Sequence, residues 1–203
     1  MLELTDWVIR RAGREVARVS ELKVRRGEVV GLVGPSGKGK SSVLAALSNT
    51  GAAKPVSGEL KWERGARAPG DLVAATRCAA LFDDRPDAPD LSVTDWLAYH
   101  AAACGAPAQG PEVAMKALGL KAVAELPVGT LSGGMAERLL LARLLLRPPE
   151  LVLIDHPLAR LDAAGEFALA SLFDRLRADR AAVLWAATDQ ARLERHCDRL
   201  VHL

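Results

Sequence analysis

Apolar and polar residues alternate along the first two dozen positions with the period of two that is typical of half-buried strands. The alternation covers residues 1–9, a polar segment at 10–15 (RRAGRE) predicts a turn, and the alternation resumes over 16–24. We therefore expect an antiparallel pair of strands at the start of the chain. The pattern then changes to EVVGLV at 28–33, a β-branched run of the kind that is buried in a central sheet.

Further along, short apolar runs alternate with helical patterns. Strands are predicted at 77–82, 151–155, 181–187 and 199–203, and helices at 40–49, 92–103, 111–120, 136–146, 163–178 and 190–195. This alternation predicts an α/β fold with a mostly parallel sheet, an antiparallel β subdomain at the N-terminus and an inserted α-helical subdomain. We expect one domain over 1–203, with its core at about 1–90 and 148–203 and the helical subdomain at about 91–147.

Composition narrows the class of protein. The 203 residues, 50% hydrophobic and 26% charged, suit one well-buried domain, and no apolar run approaches the ~20 residues that span a bilayer. The segment MLELTDWVIRR lacks the features of a secretory signal, so a cytoplasmic chain is expected. A net charge of +2 gives no reason to expect nucleic acid as a partner. The three cysteines form no CxxC pair, which favours reduced, buried thiols, and we interpret His196-Cys197 with His202 as a helix-to-strand boundary rather than a metal site.

A glycine-rich segment carries the first candidate chemistry. Residues 34–41, GPSGKGKS, fit the pattern GxxxxGK[ST], and they follow a predicted strand and open a predicted helix. The backbone N–H groups of such a loop bind phosphate oxygens, while Lys40 reaches the β- and γ-phosphates and the Ser41 hydroxyl ligates Mg²⁺. The strand LVLID ends in Asp155, which is placed to hold the same Mg²⁺ through water. The two elements together predict a P-loop nucleotide triphosphatase core.

The segment LSGGM at 131–135 adds a second phosphate-directed element. Ser132 can cap the following helix, Gly133 and Gly134 permit close backbone approach, and the helix dipole favours an anion. LSGGM resembles the signature motif of the ATP-binding cassette (ABC) family, and ARLD at 159–162 resembles its D-loop. The ordered set of motifs covers nearly the whole chain.

The resemblance implies a function and a set of site residues. Family members work as head-to-tail pairs in which each ATP lies between one subunit's P-loop and the other's signature motif, and their closure moves attached membrane subunits. The residues so implied for Mg-ATP are Arg11, Gly34, Pro35, Ser36, Gly37, Lys38, Gly39, Lys40, Ser41, Ser42 and Asp155, with Ser41 and Asp155 at the metal. Those implied for the partner's site are Leu131, Ser132, Gly133, Gly134 and Met135, and Asp162 is implied near the dimer interface.

Four family positions depart from the pattern. His156 stands where the family has its general-base glutamate, and Asp189 stands where it has the switch histidine. Asp83 replaces the Q-loop glutamine, where it adds a carboxylate near Mg²⁺ or repels the phosphates. Arg11 aligns with the aromatic residue that stacks on adenine, and a guanidinium can stack on a base as well.

Two interpretations of these catalytic changes stay open. In one, the loss of both glutamate and histidine makes hydrolysis slow or absent, because positioning supplies most of the catalysis in phosphoryl transfer. In the other, Asp189 hydrogen-bonds His156 and raises its basicity, as a carboxylate does in a catalytic triad.

The partners are predicted from the same resemblance. An altered own site beside an intact signature motif favours pairing with a different, ordinary cassette, although a homodimer is the alternative. We expect the ATP-binding subunit of a transport complex, peripheral on the inner face of the membrane through a polytopic permease. The alternative is a soluble cassette that uses ATP-driven dimerisation as a regulatory or assembly clamp, and a kinase that shares only the P-loop ranks third. Trp96 and Tyr99 are candidates for a permease-docking groove or for the core.

Overall fold

The computed structural model describes residues 1–50, 54–63, 65–67, 72, 76–82, 85–155 and 158–203. The chain forms two compact units, which we call the core unit (Met1–Ala80, Glu150–Pro157 and Leu176–Leu203) and the helical unit (Leu81–Pro149 and Leu158–Arg175). The strands in chain order are β1 Leu2–Arg11, β2 Arg14–Val24, β3 Val29–Val33, β4 Lys54–Trp62, β5 Gly65–Arg67, β6 Cys78–Leu81, β7 Leu151–Ile154, β8 Ala182–Ala187 and β9 Arg199–His202. The helices are α1 Lys40–Leu47, α2 Val93–Cys104, α3 Gly110–Ala117, α4 Gly133–Arg143, α5 Ala163–Ala178 and α6 Gln190–His196.

The first two strands form the predicted antiparallel hairpin, but its turn is shorter than the polar segment suggested. Only Ala12 and Gly13 turn, with φ angles of 48° and 77°. Two consecutive positive φ angles match the right-handed twist of the flanking strands, so the strands continue to within one residue of the tip. The prediction of a turn over 10–15 was therefore wrong in length, because charged side chains on both exposed faces of a hairpin resemble a loop in sequence.

Two further strands complete the antiparallel sheet, whose order is β2-β1-β4-β5. Strand β4 was not predicted, since its middle is polar and contains a glycine. Gly58 has a φ of 95°, and a Cβ there would lie 2.5 Å from the backbone oxygen of Asp6 in β1. The glycine thus permits close approach at a register shift between Thr5 and Val8, and it interrupts the alternation that marks a strand.

The parallel sheet of the core unit has the order β6-β7-β8-β3-β9. Every residue of β3, β7 and β8 is buried, as expected for strands that are covered on both faces. The fold class that was predicted, including the mostly parallel sheet, is confirmed. Because β3 and β8 run parallel with Val33 opposite Ala187, the segments that follow these two strands emerge at the same edge of the sheet.

Capping serines start two helices of the helical unit. The Ser92 hydroxyl oxygen accepts a hydrogen bond from Asp95 N at 3.0 Å and donates one to Asp95 Oδ2 at 2.7 Å, which fixes the start of α2. Ser132 caps α4 by accepting from Met135 N at 3.3 Å. The helix predicted at 136–146 therefore begins three residues earlier than its apolar pattern, and it ends at Arg143.

Candidate nucleotide-binding site

The loop between β3 and α1, residues 34–39, has the conformation that its glycines allow. Gly37 and Gly39 have φ angles of 82° and 86°. A Cβ on Gly39 would lie 2.6 Å from the Ala17 Cβ and closer still to the Val16 oxygen, so strand β2 packs directly against this glycine. Only glycine satisfies both the left-handed backbone and the close approach.

Lys40 begins α1, and its ammonium group turns back into the loop. The Nζ atom donates hydrogen bonds to the carbonyl oxygens of Gly34 at 2.7 Å and Pro35 at 3.0 Å. The side chain is buried, which a charged lysine tolerates only when its donors are satisfied. A positive charge therefore lies inside the loop, held by acceptors that a phosphate oxygen can replace.

A cleft of about 390 Å³ opens at the carboxyl edge of the parallel sheet. Its lining residues are Arg11, Val16, Ser36, Gly37, Gly39, Lys40, Ser41, Ser42, Asp155, Ala186, Ala187 and Thr188. Eight of the predicted nucleotide-site residues are in this set. Gly34, Pro35 and Lys38 lie in the same loop but outside the lining, and a Cβ on Gly34 would lie 2.9 Å from the Leu203 oxygen.

Asp155 reaches the cleft because it directly follows β7. Strand β8 separates β7 from β3, so a half-buried carboxylate from one strand end and the hydroxyl of Ser41 from the loop line one cavity. Hydroxyl and carboxylate oxygens are ligands that Mg²⁺ accepts. Sequence reasoning missed Val16, Ala186, Ala187 and Thr188. The last of these follows β8 directly, and strand-end position was the signal that could have found it.

Of the three residues proposed to carry catalysis, the structure describes only Asp189. His156 and Asp83 lie outside the described residues, so their pairing and metal-binding roles stay predictions. Asp189 caps α6, since its Oδ1 atom accepts a hydrogen bond from Arg192 N at 3.0 Å. Asp189 is not among the residues that line the cleft.

The segment LSGGM lies in the helical unit and packs against the loop before α5. A Cβ on Gly133 would lie 2.9 Å from the Arg160 Cδ, and one on Gly134 would lie 2.8 Å from the Arg160 oxygen. The Arg160 backbone therefore leaves no room for a side chain at position 134, whereas a side chain at position 133 would require the Arg160 side chain to shift. Ser132 orients the first turn of α4 as its N-cap.

Arg160 is held by a buried carboxylate of α4. The backbone N of Arg160 donates to Glu137 Oε1 at 3.1 Å and Oε2 at 3.0 Å, and its Nε donates to Oε1 at 3.0 Å. The Glu137 side chain is 1% exposed, whereas that of Arg160 is 40% exposed. We call this contact the Glu137–Arg160 clasp; it fixes the segment ARLD against the LSGGM helix, and sequence reasoning missed it.

A sequence model of the family described as ABC transporter matches residues 17–159, which include the phosphate loop, LSGGM and the β7 strand end. The chain belongs to the ABC transporter family. Membership agrees with the parallel sheet that carries a phosphate loop, and with the capped LSGGM helix. In the structure, the phosphate loop joins β3 to α1, Ser132 of LSGGM caps α4, and Asp155 follows β7.

Curated relatives of this ABC chain include ATP-binding proteins of two named systems. The chain is 36% identical over 177 residues to the zinc import ATP-binding protein ZnuC of Pseudomonas fluorescens (strain Pf0-1), covering 87% of this chain and 63% of the relative. It is 34% identical over 170 residues to the cytochrome c biogenesis ATP-binding export protein CcmA 2 of Cupriavidus metallidurans, covering 81% and 78%. The chain therefore spans less than two-thirds of the length of the zinc import relative.

A solved structure shares the whole fold. The ATP binding subunit of an ABC transporter aligns with a TM-score of 0.84 and 25% identity, and the alignment covers 100% of this chain and 85% of the other. This likeness agrees with the fold class that the strands and helices show.

Other predicted positions in the ABC chain have structural roles. Asp162 accepts a hydrogen bond from Gly165 N at 2.8 Å and so caps the start of α5. Trp96 is buried, and its Nε1 donates to Asp87 Oδ1 at 2.7 Å, which places it in the core of the helical unit. Tyr99 is 61% exposed and so is available at the surface.

Cys78 and Cys197 are partly buried, whereas the prediction of buried thiols was wrong for Cys104, which ends α2. Burial raises the pKa of Cys78 to about 12 and that of Cys197 to about 12, while Cys104 is exposed. Among the described residues, no three His, Cys, Asp or Glu side chains group closely enough to hold a metal ion. His196 ends α6 and His202 ends β9, which confirms the helix-to-strand boundary that we predicted. The helices of the described ranges are all too short or too polar to cross a membrane.

Proposed function

We propose that the chain binds Mg-ATP and serves as the ATP-binding subunit of a membrane transport complex. The observation that carries the proposal is one cleft that joins the phosphate loop to the carboxylate of Asp155, in a chain that also presents a capped LSGGM helix. A kinase that shares only the phosphate loop has no use for the second element. The curated relatives include both an import and an export protein by name, and the proposal covers either direction.

The phosphate loop is the binding element. Its backbone N–H groups and the start of α1 favour an anion, and the Lys40 ammonium exchanges the Gly34 and Pro35 carbonyls for β- and γ-phosphate oxygens. Each hydrogen bond that breaks is replaced by one to a charged oxygen, which is stronger. The triphosphate of ATP therefore fits the cleft better than any neutral ligand of similar size.

Mg²⁺ is the metal that suits this cleft. Ser41 and Asp155 would supply its oxygen ligands, and magnesium is usually held by one or two protein oxygens together with water and phosphate. When bound, the ion neutralises charge on the β- and γ-phosphates. Ser41 would hold the ion from the phosphate loop, and Asp155 would hold it from the end of β7, directly or through water.

Hydrolysis in the chain's own site is proposed to be slow. His156 stands in place of the family's general-base glutamate and Asp189 in place of its switch histidine, so neither position carries the family's group for orienting an attacking water. His156→Glu is the direct test. A rise of at least about tenfold in ATP turnover is expected if the missing carboxylate limits the rate. If turnover falls instead, the histidine is the working base and the alternative interpretation holds.

The LSGGM helix is proposed to complete the site of a second cassette. Ser132, Gly133 and Gly134 retain the cap and the close packing that this role needs, although the chain's own catalytic positions are altered. A different, catalytically ordinary cassette is therefore the favoured partner. A purified chain that forms an ATP-dependent homodimer with ordinary turnover would contradict this preference.

The membrane subunit is proposed to be a polytopic permease, with this chain peripheral on the cytoplasmic face. Purification of the tagged chain from its native cells should recover a polytopic membrane protein together with a second cassette. Recovery of another cassette without any membrane protein would support the soluble clamp instead.

Nucleotide binding itself is tested by titrating the purified chain with Mg-ATP. Lys40→Ala should reduce the affinity by at least about a hundredfold, because the buried cation that meets the phosphates is lost. Lys121→Ala, at an exposed ion pair with Glu112 in the helical unit, is the matched lysine control. Equal affinities for the two variants would contradict the proposed site.

A further inference from the structure

Thr188 is a side chain of the cleft for which neither the motifs nor the family assignment provides a role. It is the first residue after β8, a strand that is buried at all six positions, and it is exposed. Ala187 lies opposite Val33 in the parallel ladder, so Thr188 stands level with Gly34, the first residue of the phosphate loop.

The other neighbour of β8 places Thr188 relative to Asp155. Ile154 lies opposite Trp185, which puts Asp155 level with Ala186 and leaves Thr188 two residues further toward the mouth of the cleft. Thr188 lines the cavity together with Lys40, Ser41 and Asp155. Thr188 thus brings a hydroxyl from the end of β8 to the cleft that the phosphate loop and Asp155 also line.

Asp189, the next residue, does not fill this role. Its carboxylate accepts a hydrogen bond from the backbone N–H of Arg192 and is directed to the first turn of α6. A second carboxylate beside the phosphates would also repel them, whereas a hydroxyl can donate to an anionic oxygen. Thr188 therefore lines the cleft, whereas the adjacent Asp189 caps the helix.

We propose that the Thr188 hydroxyl donates a hydrogen bond to the terminal phosphate of a bound nucleoside triphosphate, so that Thr188 rather than Asp189 lets the site distinguish triphosphate from diphosphate. The inference rests on the proposed function and deepens it, because it assigns a selectivity residue within the same cleft. It requires no contribution from a partner chain, so the isolated protein can test it.

The experiment measures the affinities of the full chain for Mg-AMPPNP and Mg-ADP by calorimetry. Thr188→Val removes the hydroxyl at nearly constant shape, and we expect it to weaken AMPPNP binding by about tenfold or more while ADP binding changes by less than about twofold. Thr188→Ser should restore the wild-type ratio of the two affinities. Thr5→Val, the same change at an exposed position of β1, is the matched control, and thermal unfolding checks that each variant is folded.

Asp189→Asn tests the competing assignment, because asparagine keeps the helix cap but removes the charge. The inference is overturned if Asp189→Asn changes the ratio of the AMPPNP and ADP affinities while Thr188→Val leaves that ratio unchanged. An unchanged ratio in Thr188→Val alone also overturns it, and the proposed function then stands, since the wild type still binds nucleotide. If the wild type binds neither nucleotide, the proposed function and the inference fail together.

Discussion

The Glu137–Arg160 clasp joins the LSGGM helix to the loop before α5, and its removal should have a measurable effect on stability. Arg160→Ala deletes the hydrogen bond from Nε to Oε1 but keeps the two from the backbone N. A hydrogen bond to a charged group contributes about 1.5–3 kcal/mol, and the lower half of that range applies because water reaches the half-exposed arginine. Glu137→Gln keeps the shape but removes the charge, and its amide NH₂ would face the Arg160 N–H, so a loss of about 2 kcal/mol is expected.

Urea denaturation followed by circular dichroism gives the free energy of unfolding for the two single variants and the double variant. The two changes act on the same bonds, so the double variant should be more stable than additivity predicts by about 1 kcal/mol or more. Lys121→Ala is the control, since its ion pair with Glu112 joins side chains that are 57% and 73% exposed. That variant should stay within about 0.5 kcal/mol of the wild type.

Additivity would refute the reasoning. If the double variant's loss equals the sum of the single losses to within about 0.5 kcal/mol, the two side chains do not stabilise each other. The same conclusion follows if Arg160→Ala is no more destabilising than Lys121→Ala. A loss confined to Glu137→Gln would mean that the backbone N–H of Arg160, and not the guanidinium, holds the carboxylate.

Three further predictions concern the core unit and the thiols. Gly39→Ala should abolish nucleotide binding in a titration, whereas Gly37→Ala should only weaken it. A Cβ on Gly39 would meet strand β2, but a Cβ on Gly37 would meet nothing within 4 Å. Equal losses of affinity in the two variants would contradict this prediction. Cys104 alone should react with a thiol reagent at pH 8, because it is exposed and burial raises the pKa of the other two thiols to about 12. Modification of more than one thiol per folded chain would contradict this prediction. Hydrogen bonds, first from the Arg77 amide, lower the pKa of Glu150, so this group stabilises the fold above about pH 4.3 and its contribution is lost as pH falls through the lowered pKa. Glu150→Gln should therefore be less stable than the wild type at pH 7 and differ less at pH 3, as measured by urea unfolding, and a constant difference would refute the assignment.

The strands of the parallel sheet could be predicted from sequence because burial on both faces makes them uniformly apolar. Strand β3 and the helix after the phosphate loop were predicted within two residues of their observed bounds. Strand β4 was missed because one face is exposed and Gly58 interrupts its alternation at a close contact with Asp6. Local pattern cannot reveal a contact between residues so far apart in sequence.

The residues of the candidate site could be predicted where a motif fixes the backbone conformation. They were harder to predict where the orientation of a single side chain decides whether it lines the cleft. The phosphate loop and the strand-end Asp155 line one cleft as their motifs imply. Asp189 was chosen by its position in the family pattern, yet its carboxylate caps α6, and Thr188 lines the cleft instead. Which of two adjacent polar residues faces a ligand depends on the start of the next helix, and a serine, threonine or aspartate there is an N-cap candidate that sequence alone should weigh.

The contact of Gly39 with β2 has a consequence for how this site can diverge among relatives. Strand β2 meets the phosphate loop through the backbone oxygen of Val16 and the methyl group of Ala17. A backbone atom and a methyl group make few demands on the rest of the hairpin, so residues at its tip, including Arg11, can be exchanged without moving the loop. Arg11 lines the cleft, so the lining of the cleft can change under mutation while the phosphate loop keeps its conformation, provided that position 17 stays small.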